Sequence, residues 1–232
     1  MPTGPLNSSE SDYAHSSMVP TTDERQARRS YRSPVRAARQ AETRRAVLEA
    51  AQASFAAHGW AGTTISGIAA GAGVAAQTVY DAFGTKAGLL AAAMRAAAAP
   101  DTDGVVVGAT WADDLRSIPT QEARWEALRA GTSAALEGTW SLATVMREAL
   151  GADHRVAEHW DALEAERRHD VELVVDLLDE VGPLRLPAAE AVDVLMALTR
   201  STDLYGSLRV AGWSPERAAT AVSDVVQRTL LP

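Results

Sequence analysis

The spacing of apolar residues predicts an all-α protein of about nine helices, with a three-helix helix-turn-helix domain followed by a larger helical domain. Three observations carry this. Apolar residues recur at helical period through most of the chain beyond about residue 40. Residues 63–86, Thr-Thr-Ile-Ser-Gly-Ile-Ala-Ala-Gly-Ala-Gly-Val-Ala-Ala-Gln-Thr-Val-Tyr-Asp-Ala-Phe-Gly-Thr-Lys, read as two short helices joined by a glycine turn. The chain has 232 residues, enough for two cores, and no cysteine, so disulfides, thiolate catalysis and cysteine-bound zinc are excluded.

Taken in order, residues 1–24 are rich in Ser, Thr and Pro and are expected to be disordered. With Arg25, Arg28, Arg29, Arg32, Arg36 and Arg39 they complete an N-terminal arm, 1–39, whose basic part is interrupted by Ser30, Ser33 and Pro34 and is expected to be extended or partly helical. The second expected domain is 40–100. Within it Thr63 or Thr64 caps a helix that buries Ile65, Ile68 and Ala69, Gly71 and Gly73 end it, and Val74, Val79 and Phe83 mark the buried side of the next. The other side of that helix offers Ala75, Ala76, Gln77, Thr78, Asp81 and Ala82, small or polar groups that fit a helix into the major groove of duplex DNA. Thr85 caps a helix carrying Leu89, Leu90 and Met94 that links the two domains, with the join near Pro100.

The third domain is expected over 101–232. Residues 101–119, with the apolar patch Val105 to Val107, read as a loop or a short broken helix. Thr120 opens a helix with Trp125, Leu128, Thr132 and Leu136, and a shorter, separate one follows with Leu142, Val145, Met146 and Ala149. Asp153 opens a long helix to about Val181, ended by Gly182-Pro183. Pro187 starts a helix expected to run unbroken to about Val210, and Gly212-Trp213-Ser214-Pro215-Glu216 stops it and caps a last one with Ala218, Ala221, Val222, Val225 and Val226.

Gly59, Thr63-Thr64, Ile68-Ala69, Ala72-Gly73-Val74, Thr78-Val79-Tyr80, Phe83 and Lys86 followed by Leu89-Leu90 together resemble the DNA-binding domain of TetR-family regulators, over roughly residues 40–100. The resemblance implies a cytoplasmic, ligand-responsive repressor that binds double-stranded DNA at a palindromic operator as a homodimer, and a C-terminal domain for dimerisation and for an unknown small-molecule ligand. Position by position, it places Arg44, Thr64, Ser66, Ala76, Gln77, Thr78, Tyr80 and Lys86 against DNA. Gln77 is the base reader, because a carboxamide pairs bidentately with adenine, while Thr78 and Tyr80 suit phosphate oxygens. Lys86, the chain's sole lysine, falls where the family has a phosphate-binding lysine. Many relatives have a serine cap and a lysine where this chain has Ala75 and Ala76, and Asp81 and Ala82 depart from the pattern too, differences that bear on which DNA sequence is preferred. In the same fold Trp125, Trp140, Met146 and Trp160 surround a cavity, with Thr132, Thr144, Arg147 and His159 as polar anchors. The segment from Tyr205 to Glu216 is similar to the family's C-terminal helix pair, which forms the dimer interface.

Charge is unevenly spread. Residues 1–45 carry eight arginines against five acids, residues 46–100 are neutral, and the whole chain is −8, so the basic arm is the source of long-range attraction for a polyanion. No catalytic, metal or cofactor site is expected: His154 and His159 are five residues apart and lie in no His-Glu-x-x-His pattern. Nor is there an eighteen-residue apolar run for a membrane span or a signal peptide's hydrophobic segment. Two other readings stay open: a constitutive DNA-binding dimer whose interior is filled by tryptophan, and a ligand-binding protein that has kept the fold and lost DNA binding, to which Ala76, Asp81 and Ala82 point.

Overall fold

The computed structural model describes residues 22–99 and 109–232, with the side chains of residues 22–35, 109–110 and 201 left aside. Of residues 1–24, expected to be disordered, 1–21 lie outside the described residues, as do the join near Pro100 and the Val105 to Val107 patch, while Thr22 to Glu24 are helical. Met1–Glu42 and Thr43–Pro232 form two units. In the first, the chain is helical from Thr22, so Ser30, Ser33 and Pro34 lie in helix and no extended strand forms among its described residues.

Among the described residues every regular element is helical: α1 (Thr22–Gly62), α2 (Ile65–Gly71), α3 (Ala76–Phe83), α4 (Lys86–Ala98), α5 (Ala109–Arg116), α6 (Gln121–Ala149), α7 (His154–Asp179), α8 (Ala188–Leu198), a π-helical turn (Ser201–Tyr205), α9 (Gly206–Val210) and α10 (Pro215–Leu230). The starts follow from caps. Thr64, Thr85, Thr120, Asp153 and Ser214 each accept a backbone N–H of the first turn through the side chain, a contact worth about 1 kcal/mol. Within the stretch 101–119, expected as a loop or a short broken helix, residues 109–116 form α5.

Two of the helix boundaries differ from expectation. The separate helix foreseen after Leu136 does not exist, because α6 continues through Gly138 and Thr139 to Ala149. Gly138 is there to let another backbone in: a Cβ at that position would lie 2.5 Å from the carbonyl oxygen of Ala97. Thr139 satisfies its hydroxyl by donating to Ala135 O at 2.6 Å, so it needs no turn. Conversely, the helix expected from Pro187 to Val210 breaks at Arg200, whose ψ is 117°. Arg167 of α7 stabilises that end, donating to Met196 O at 2.8 Å and to Thr199 Oγ1 at 3.2 Å. One carbonyl left over at a helix end, that of Met196, thereby finds a partner.

Two cores result. The first gathers Val47, Phe55, Ile68, Val79, Leu89 and Leu90, and is completed by Leu142, Val145, Met146 and Ala149 of α6 and Val156 of α7. The second holds Trp125, Leu128, Leu136, Val175, Leu178, Leu195, Tyr205, Val222, Val226 and Leu230. Burying each Val, Leu, Ile, Phe or Met side chain among them contributes about 1.5–3 kcal/mol. α6 serves both cores. Arg124 ties the second together: 3% exposed, it donates to Ile118 O at 2.8 Å, Leu177 O at 2.5 Å and Arg116 O at 3.1 Å, and pairs with Glu180 at 3.0 Å.

Candidate nucleic-acid interface

The turn between α2 and α3 follows from one glycine. Gly73 has φ of 69°, the left-handed region that favours glycine, and its N–H donates to Ala70 O at 3.2 Å while Val74 N–H donates to Ala69 O at 2.9 Å. That nested pair of bonds turns the chain sharply enough for α3 to lie over α2. Gly71 is simply the last residue of α2.

α3 buries Val79 completely and packs Ala76 and Phe83 partly into the first core. Gln77 and Asp81 stand two positions either side of Val79, about 200° round the helix, and both are exposed. Thr78 and Tyr80 flank them and are exposed too, Tyr80 at 47%. Ala75 precedes α3 without a side-chain cap, which leaves the first N–H groups of the helix for other acceptors. On α2, Ser66 is exposed, and the Thr64 hydroxyl accepts from Gly67 N at 3.0 Å. Arg44 is exposed, with its guanidinium 4.7 Å from the centre of the Phe83 ring.

Two polar groups of this surface are already engaged. Gln77 Nε2 donates to Asp81 Oδ1 at 2.7 Å. Lys86 does not stand free: Nζ donates to the Trp60 carbonyl and lies 4.2 Å from the centre of that ring, and burial lowers its pKa, opposed by the nearby Asp153 carboxylate. Gly59, with φ of 64°, turns the end of α1 so that Trp60 stacks on Phe55 with centroids 6.2 Å apart.

The residues expected around a ligand divide into three places. Trp140, Thr144 and Arg147 share one face of α6 at i, i+4 and i+7 and line an open groove of about 670 Å³ with Thr202, Ser207 and Val210. Arg147 meets Asp203 at 3.7 Å, and both side chains are about half exposed. Trp140 is met edge-on by Tyr205 at 6.4 Å and covered by Arg209 at 5.3 Å. Burial, then the hydrogen bond that the phenol donates to Glu137, pushes the Tyr205 pKa well above its ordinary range. Met146, by contrast, is wholly buried on another face of α6, and Met146 and Trp160 both belong to the first core, while Trp125 is 7% exposed in the second. These three are therefore not brought together with Trp140 and Arg147. The groove's far wall comes from the π-helical turn and α9, where apolar periodicity predicts unbroken helix and so gives no hint of a wall. The polar run Arg200 to Asp203 is the signal that marks the break. Among the described residues no group of three or more His, Asp or Glu is placed to hold a metal ion, and no helix is long and apolar enough to cross a membrane.

Two short helices about a left-handed glycine, the second with a polar outward face, define a helix-turn-helix protein, wholly helical among the described residues. Residues 47–93 match the family described as bacterial regulatory proteins, tetR family, and this match takes in α2, α3 and most of α4. Solved structures share the fold across most of the chain. A TetR transcription regulator from Haloarcula marismortui is 18% identical, with a TM-score of 0.58 over 82% of this chain and 99% of that one. FadR, a transcriptional regulator from Bacillus subtilis in complex with stearoyl-CoA, is 15% identical, with a TM-score of 0.58 over 78% of this chain and 96% of that one. NalD, the secondary repressor of the MexAB-OprM multidrug efflux pump in Pseudomonas aeruginosa, is 23% identical, with a TM-score of 0.55 over 81% and 96%. No curated protein sequence matches.

Proposed function

We propose that this chain is a cytoplasmic transcriptional repressor, a homodimer released from a palindromic DNA operator by a small molecule, and not an enzyme. The outward face of α3 carries the reading: Gln77 and Asp81 are exposed across the helix from Val79, which is wholly buried, and Thr78 is exposed beside them. A helix with short side chains on that face fits a major groove about 12 Å wide. Gln77 reads a base there. Thr78, Tyr80, Ser66, Arg44 and the uncapped N–H groups at the start of α3 serve phosphate oxygens. Ala76 permits close approach, Thr64 is spent on capping α2, and Lys86 reaches a phosphate only by leaving Trp60.

One recognition helix spans few base pairs, and two of them about 34–36 Å apart supply useful affinity. Val210 and Val225, 82% and 41% exposed, are apolar surface for a second copy to cover. The arm supplies charge that residues 46–100 lack. Being helical from Thr22, and therefore about 10–12 Å across, it suits phosphates along a duplex better than a minor groove about 6 Å wide.

The groove beside Trp140 suits a mostly apolar molecule with an anionic group for Arg147, and the neighbour in complex with stearoyl-CoA supports a ligand role for this fold. α4 is the lever between ligand and DNA. Its end lies against Gly138 of α6, and Arg95 holds Glu166 of α7 through two bonds of 2.7 Å. Moving a population from 99:1 to 1:99 requires a ligand preference of about 5.5 kcal/mol between the two dimer arrangements. Selection of bound duplexes from random DNA tests the reading: a palindromic site is expected, and retention of no duplex refutes it. Release of that site by extracts of cells grown under varied conditions tests ligand control, and persistent binding throughout counts against it.

A further inference from the structure

Gln77 and Asp81 stand one helical turn apart at the centre of the exposed face of α3, joined by the 2.7 Å bond from Gln77 Nε2 to Asp81 Oδ1. An ionised carboxylate only accepts, so turning the amide over would set oxygen against oxygen and break the bond. The bond therefore settles which way the carboxamide points. Its nitrogen carries two N–H groups: one goes to Asp81, while the other and Oε1 remain as a neighbouring donor and acceptor.

That remaining pair matches the major-groove edge of adenine, which offers an acceptor at N7 and a donor at N6. Guanine offers two acceptors, N7 and O6. A glutamine free to rotate can turn its oxygen away from guanine, whereas one held through one N–H can still donate the other to a single acceptor but sets Oε1 against the second.

We infer that Asp81 is a positioning residue that holds Gln77 to read adenine and refuse guanine at one base pair of each half-site. The inference rests on the DNA-binding reading above. Asp81 acts in a second way as well. Its charge repels phosphate whatever the sequence, which weakens binding to all duplexes alike and leaves discrimination to the base contact. An acidic residue on a DNA-facing helix thus serves selectivity at the expense of affinity.

The test is duplex selection with the full chain and with Asp81→Ala, Asp81→Asn and Gln77→Ala. Asp81 and Gln77 are exposed, so all three variants are expected to fold, as far-ultraviolet circular dichroism will check. The wild type is expected to select adenine over guanine about tenfold at one fixed position in each half-site. In Asp81→Ala that preference should fall to about twofold or less, with the rest of the site kept and affinity for unrelated duplex raised. Asp81→Asn, whose amide oxygen still accepts while the charge is gone, should keep part of the preference yet share the raised general affinity. Gln77→Ala should abolish the preference. Undiminished adenine selection by Asp81→Ala or by Gln77→Ala overturns the inference while leaving the DNA-binding reading intact. A wild type that retains no duplex overturns the underlying reading, and this one with it.

Discussion

Gly138 and Gly131 lie on the same helix, α6, and the same substitution in each should act in opposite directions. At Gly131 an added Cβ meets nothing within 4 Å. Alanine there gains helix propensity, about 1 kcal/mol at most. At Gly138 the added Cβ would lie 2.5 Å from Ala97 O and 3.3 Å from Ala97 C, where ordinary contact begins at 3.4 Å. The obstacle is backbone, which cannot rotate aside as a side chain does, so α4 and α6 must separate by most of an ångström. Overpacking of this kind costs about 1–3 kcal/mol, and subtracting the propensity gain leaves Gly138→Ala destabilised by up to about 2 kcal/mol. Urea unfolding at one fixed protein concentration, which removes the effect of any dimerisation, reads the difference. With a slope of about 2–3 kcal/mol per molar, the two midpoints should part by about 0.5–1 M, Gly131→Ala above the wild type and Gly138→Ala below it. Equal stabilisation by both variants would refute the close approach of α4 to α6, and with it the proposed route from ligand to DNA.

Three further outcomes are expected. Arg124→Ala should cost about 3 kcal/mol in the same urea measurement, because three backbone carbonyls are deprived of a buried donor. The same arginine, first among its causes, holds the Glu180 carboxyl below its ordinary pKa, so the wild type should keep this contribution above about pH 4.3 and forfeit it as the pH falls through the lower folded-state value. In Arg124→Ala that part of the acid dependence should shrink, as stability measured at several pH values will report. Ala75→Ser supplies the side-chain cap that α3 lacks and should raise the thermal midpoint by an amount equivalent to about 0.5–1 kcal/mol, and no rise would show that the local backbone cannot use a cap. Deleting residues 1–35 should weaken operator binding and flatten its salt dependence, by about 0.9 in the logarithmic slope for each phosphate that the arm no longer neutralises, and an unchanged affinity would dispose of a role for the arm.

Much of the fold can be read locally. Thr64, Thr85, Thr120, Asp153 and Ser214 cap helices within three residues of themselves, and Gly73 and Gly212 take positive φ where the chain must turn. Both are decided by neighbours in sequence, so pattern suffices. The α3 surface is legible for the same reason, since burial of Val79 puts Gln77 and Asp81 outside whatever α3 packs on. Their mutual bond is also within reach, being an i, i+4 contact of a donor and a carboxylate. Gly138 has the look of a helix end when it is a contact point, and Thr199-Arg200 has the look of helix interior when Arg167, 32 and 33 positions earlier in the chain, takes over the end of α8.

Period, caps and glycines in the sequence thus determined an all-helical chain, most of its helix starts, and the outward face of the second helix of the helix-turn-helix. Only the tertiary structure decided what each apolar face packs against. It put Met146 and Trp160 in the first core and Trp125 in the second, left Trp140 and Arg147 on a surface groove, and folded Lys86 back on Trp60. The physical reason is that helical period names the buried side of an element and says nothing of its partner, which is settled by contacts between residues far apart in the chain.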